Sequence, residues 1–148
     1  MTTDRLPPGQ HWRGDFPVLT FGFTPKVNLD TWRLRFWGEL EAELTLSFSD
    51  LLALPQTVVL ADFHCVTSWS RPDNRWEGVA FAELYGHLRP KERASFVMVH
   101  CIGGYTTNLS LATLLDEDVL VAHSLDGAPL TPEHGWPLRL IVPKRYAW

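Results

Sequence analysis

No segment of this 148-residue chain sustains a helical apolar period for more than about ten residues. A doubly wound parallel sheet needs a long crossover helix between successive strands, so that architecture is excluded. The chain offers instead a series of short β-rich runs separated by brief amphipathic stretches and by loops rich in Pro and Gly. The expected fold class is α+β, with mixed β-sheets, short helices and long ordered loops.

At 31–37, TWRLRFW alternates: Trp32, Leu34 and Phe36 fall on one side, Arg33 and Arg35 on the other, as in a half-buried strand. Leu44 and Leu46 continue that pattern in a second short strand. Ser49 is placed to cap a short helix that Pro55 stops. VVLADFHC (58–65) reads as a buried strand ending at Cys65, and SFVMVHC (95–101) as another ending at Cys101. Pro72, Asp73 and Asn74 make 68–76 a loop, and 79–88 reads as a second amphipathic helix. A helical turn is expected within 107–115, and strands at 119–123 and 138–142. Residues 1–30 are polar and Pro-rich, with one apolar patch from Phe16 to Phe23, and read as an ordered arm. No repeat or linker divides the chain, so 1–148 is taken as a single domain.

Composition narrows the function classes. The chain is 45% hydrophobic and 20% charged, which excludes a disordered or collagen-like polypeptide. Thirteen Lys and Arg against 17 Asp and Glu give a net charge of −4 without any basic tract, a poor match to nucleic acid or anionic membrane. No apolar run approaches the roughly 20 residues of a membrane span. The start, MTTDRLPPGQHW, lacks the charged and apolar regions of a secretory signal, so a cytoplasmic location is expected.

Two cysteines are too few for a disulfide framework or a four-thiolate zinc site. The pairs His64-Cys65 and His100-Cys101 invite a Cys₂His₂ zinc reading. Adjacent strand residues face opposite ways, which argues against it. A Cys65–Cys101 disulfide would require an oxidising compartment. Free cysteines are commonly small buried core residues, and that reading is preferred for Cys101. Cys65 differs in preceding a segment carrying Trp69, Arg71, Asn74, Arg75 and Trp76, where a thiolate suits a soft metal or an oxyanion substrate, although on the residues alone the buried-core reading is still favoured for it. In the C-terminal segment, His134, Arg139, Lys144 and Arg145 form a cation set able to hold a phosphate or to make an ordinary solvated face. GGYTTNLSL (103–111) allows close backbone approach to a polar ligand, or is simply a hairpin turn.

Taken together, ADFHCVTSWSRPDNRWEGV (61–79), GGYTTNLSL (103–111) and LDGAPLTPEHGWPLRLIVPKRYAW (125–148) resemble the molybdopterin-binding domain of the sulfite oxidase family. The resemblance runs from about Trp32 to the end of the chain, in family order, and is nearest to small bacterial members made of this domain alone. It implies a sulfite-oxidase-like molybdopterin-binding fold and a Mo-molybdopterin cofactor with Cys65 as the thiolate ligand of the metal. It further implies that His134 and Arg139 contact the pterin, that Cys101 lies near the cofactor, and that Tyr105 and Arg71 belong to the substrate pocket. The implied reaction is two-electron oxygen-atom transfer on a small sulfur oxyanion or sulfoxide, with a separate electron-transfer protein, since the chain carries no haem motif. Family members continue beyond the Tyr-Ala-Trp at which this sequence stops, so the resemblance also implies C-terminal truncation. A non-catalytic domain of the same fold without cofactor is the alternative.

Overall fold

The computed structural model describes residues 3–19 and 22–145. The last residues of the C-terminal motif, Tyr146 to Trp148, and two of the apolar patch, Thr20 and Phe21, lie outside them. In chain order the strands are β1 (His11–Trp12), β2 (Leu34–Phe36), β3 (Leu44–Leu46), β4 (Thr57–His64), β5 (Trp69–Ala80), β6 (Phe96–His100), β7 (Thr106–Ser110), β8 (Leu120–Leu125), β9 (Ala128–Pro129) and β10 (Arg139–Ile141). Three short helices interrupt them: α1 (Phe48–Ala53), α2 (Phe81–Tyr85) and α3 (Leu111–Leu114). The main sheet runs β1-β5-β8-β10, with β4 on β5 and β9 on β8; β2-β3 and β6-β7 are separate two-stranded sheets. Among the described residues only β1 pairs in parallel; the other pairings of the main sheet are antiparallel. The α+β class with mixed sheets and short helices is therefore what the chain adopts.

The largest departure from expectation is β5. Residues 68–76 carry turn residues, yet from Trp69 onward they belong to the longest strand described. Asp73 takes a left-handed φ of 54°, its N–H donates to the Asp62 carboxylate, and the fully buried Asn74 amide donates to Ala61 O and Arg71 O. The β4–β5 register shifts between Ala61 and Phe63 to absorb this kink. Side-chain hydrogen bonds to β4 thus turn a local turn signal into a bulged strand.

The other corrections are smaller. Val79 and Ala80 complete β5 against Val121 and Leu120, so the helix expected over 79–88 shrinks to α2. Thr106–Ser110 pairs with β6, leaving only α3 of the helical turn; the Ser110 hydroxyl caps it by accepting from Thr113 N. Ser47, not Ser49, caps α1, in a reciprocal capping box with Asp50.

Alternation along β8 and β10 places side chains in different layers, because the main sheet is covered on both faces. Leu120, Ala122 and Ile141 join Phe63, Cys65, Trp69, Trp76 and Leu130 in one cluster. Val121 packs with Leu51, Val79 and Leu84, and Val119 with Phe81, Leu114 and Val142. Arg139 lies two residues before Ile141 in β10 and so points to the layer that holds Cys65. The face opposite Leu138 and Leu140 is a packed aromatic layer, not a solvated one.

Candidate functional site

A cavity of about 1030 Å³ opens between β2, the β6–β7 hairpin and the 132–140 segment. Of the residues singled out from sequence, His134, Arg139, Cys101 and Tyr105 line it; Cys65 and Arg71 do not. Cys65 is 1% exposed and packs with Phe63 and Trp69, which themselves line the cavity, so its thiol stands one aromatic layer behind the wall. Its sulfur is 3.1 Å from Thr67 Oγ1, and its carbonyl accepts from Gln10 Nε2 at 3.0 Å. Cys101, expected in the core, is exposed at the end of β6, although protein around the thiol desolvates it and raises its pKa. The two cysteines are free. Among the described residues, no three His, Cys, Asp or Glu side chains converge to hold an ion.

Arg139 is the most unusual group. Its guanidinium lies 5.2 Å from the Phe63 ring centroid, 5.5 Å from Phe16 and 5.8 Å from Trp76. Among the described residues it makes one long hydrogen bond, 3.4 Å to His134 O, and pairs with no carboxylate. Desolvation by this cage lowers its pKa from 12.5 to about 10. Gly135 (φ 108°) closes the preceding turn, and a Cβ there would sit 3.1 Å from Arg139 Cβ. Glycine thus lets the turn press against the arginine stem.

His134 uses both ring nitrogens. Nε2 is 2.9 Å from the Phe16 carbonyl and Nδ1 is 3.0 Å from Thr131 Oγ1. A carbonyl only accepts, so Nε2 donates to Phe16 O. Arg71 is drawn away from the cavity: Nη2 meets Asp126 Oδ2 at 2.7 Å, Nη1 donates to Asn74 Oδ1, and Nε is buried with no hydrogen-bond partner among the described residues. Lys144 pairs with Asp116, and Arg145 donates to Thr113, so neither joins Arg139. Gly103 and Gly104, both at positive φ, form the β6–β7 turn, closed by Cys101 N to Tyr105 O at 2.9 Å. Tyr105 is half exposed at the cavity rim, near the tilted stack of Trp37 on His100.

Sequence reasoning missed Phe16. This arm residue packs on Phe63, Trp69, Trp76 and His134 and sits beside both Arg71 and Arg139. The apolar patch beginning at Phe16 was visible, but nothing local says that it reaches residues more than a hundred positions away.

The sequence matches the family model described as the oxidoreductase molybdopterin binding domain over residues 21–148. It is 42% identical over 145 residues to the uncharacterized oxidoreductase YuiH of Bacillus subtilis (strain 168), covering 97% of this chain and 73% of that protein. It is 28% identical over 144 residues to the protein-methionine-sulfoxide reductase catalytic subunit MsrP of Campylobacter jejuni, covering 82% of this chain and 46% of that one. The solved sulfane dehydrogenase SoxCD from Paracoccus pantotrophus superposes with a TM-score of 0.71 at 21% identity, over 80% of this chain and 35% of that chain. This last likeness is one of fold.

Proposed function

The chain belongs to the oxidoreductase molybdopterin-binding domain family, and from that premise we propose a molybdenum-dependent oxidoreductase domain acting on a small sulfur oxyanion or sulfoxide. Mo-molybdopterin is the cofactor of this family. The residues present fit it. The pterin is an anionic ligand, and Arg139 is a desolvated cation facing the cavity with no carboxylate partner among the described residues. That uncompensated charge is the observation that carries the reading. A bound anion would supply the missing counter-charge in a fork geometry that guanidinium suits. In this proposal Arg139 holds the pterin's anionic groups, His134 donates a hydrogen bond from Nε2, and the Cys65 thiolate ligates the metal. Cys101 lies against the cofactor and Tyr105 serves the substrate pocket, whereas Arg71, held by Asp126 and Asn74, is not part of it. Once bound, the centre supplies two-electron oxygen-atom transfer. Electrons pass to or from a separate redox protein.

The name of one relative supports a sulfur substrate: it is a protein-methionine-sulfoxide reductase catalytic subunit. A specific observation favours the second reading, a cofactor-free domain: Cys65 is buried behind Phe63 and Trp69. Metal analysis separates the two. Protein produced in a molybdopterin-competent host is expected to carry molybdenum, and Cys65→Ala to lose both the metal and turnover of sulfite or methionine sulfoxide. Metal-free wild-type protein, or Cys65→Ala with full metal, overturns the proposal.

A further inference from the structure

The two residues that the proposed function assigns to the pterin, His134 and Arg139, are both engaged by one residue of the N-terminal arm. The Phe16 carbonyl takes the His134 Nε2 proton, and the Phe16 ring lies 5.5 Å from the Arg139 guanidinium. The same ring packs at 4.9 Å on Phe63 and 5.6 Å on Trp69, the two aromatics that stand between the cavity and Cys65. Phe16 also lines the cavity itself.

The attachment of this segment is lopsided. Before it, the arm is firmly held: β1 pairs with β5, and Arg13 N donates to Ser70 O at 2.8 Å. Then come Gly14, whose missing Cβ would meet nothing within 4 Å, and an exposed ion pair between Arg13 and Asp15 that ties the turn only to itself. After Phe16, Val18 and Leu19 are exposed although apolar. Apart from the Arg13–Asp15 pair, the one hydrogen bond that joins residues 14–19 to other described residues is that from His134 to Phe16. Phe16 and the half-buried Pro17 are thus inserted between exposed neighbours on a segment hinged at an anchored strand, an arrangement suited to local opening.

We propose that residues 14–19 form a strap that closes Cys65 behind Phe16, and that the strap and the anionic cofactor are alternative occupants of the His134–Arg139 cradle. Only the identity of the competing occupant rests on the function proposed above; the closure of the thiol does not.

The test is the alkylation of Cys65 by iodoacetamide in the native full-length chain, followed by peptide mass spectrometry and repeated at low urea concentrations. Phe16→Ala is expected to raise the Cys65 rate by about tenfold or more, with little dependence on urea, because labelling runs through a small local opening. Phe16→Leu keeps most of the bulk and should stay near wild type, and Phe23→Ala, an exposed arm residue, should leave the rate unchanged. A Phe16→Ala rate equal to wild type overturns the strap. So does a rate that rises steeply with urea, since that marks global unfolding and makes Phe16 an ordinary core residue. Fast, urea-insensitive labelling in a chain that never takes up molybdenum upholds the strap and removes the cofactor reading, so the two ideas fail separately.

Discussion

Burying a guanidinium in an aromatic cage without a carboxylate is costly, and Arg139 bears that cost in the structure as it stands. Replacing it with an apolar residue of similar length should therefore leave the cofactor-free fold as stable or more so. Arg139→Met is expected to raise the unfolding free energy by up to about 1 kcal/mol in a urea melt, while sharply reducing bound molybdenum. A loss of stability would show that the cage holds the arginine for structural reasons. His64 gives a prediction at the same scale. Desolvation lowers its pKa below 6.5, only partly offset by Asp62, and its Nδ1 lies 2.7 Å from the fully buried Ser70 hydroxyl. Below pH 6.5 the unfolded chain binds this proton more readily than the folded one. The His64 contribution to stability is therefore full above pH 6.5 and is lost as pH falls through the lowered folded value. Melting temperatures measured down through this range should fall less for His64→Gln than for wild type.

Elements show why part of the fold was readable and part was not. β2, β3, β4 and β6 announce themselves by alternation or by apolar β-rich runs, and they form within a residue or three of their expected bounds. β5 does not, because Pro72, Asp73 and Asn74 carry a genuine local turn preference that only Asp62 and the Ala61 carbonyl, on the neighbouring strand, convert into a bulge. Gly78 is invisible in the same way. In sequence it is one glycine in a polar-to-apolar transition; in the sheet it sits at the β5–β8 register shift, where an added Cβ would lie 2.0 Å from Val121 O and 2.7 Å from Ala122 Cα. Gly78→Ala is expected to cost about 3 kcal/mol or to prevent folding, read from the urea midpoint of the purified variant. A change under about 0.5 kcal/mol would mean that the bulge relaxes freely.

Across the molecule, the site is assembled from segments that are remote in sequence: Phe16 from the arm, Phe63 to Trp76 from the β4–β5 pair, and His134 to Arg139 leading into β10. Of the residues that the family resemblance picked out, His134, Arg139, Cys101 and Tyr105 reach one cavity, while Cys65 and Arg71 do not. The resemblance could not supply the arm, because Phe16 touches its partners only through tertiary packing and carries no motif of its own. Nor could alternation alone tell that the face of β10 bearing Arg139 is covered by aromatics, since both faces of the main sheet are buried. In the proposed function the sulfur of Cys65, enclosed in the described structure, becomes a ligand of molybdenum. X-ray absorption at the molybdenum edge, comparing wild type with Cys65→Ser loaded in the same host, tests it most directly. A metal–sulfur shell that loses one sulfur in the variant is expected; an unchanged sulfur shell, or wild-type protein that takes up no molybdenum, rules Cys65 out as the ligand.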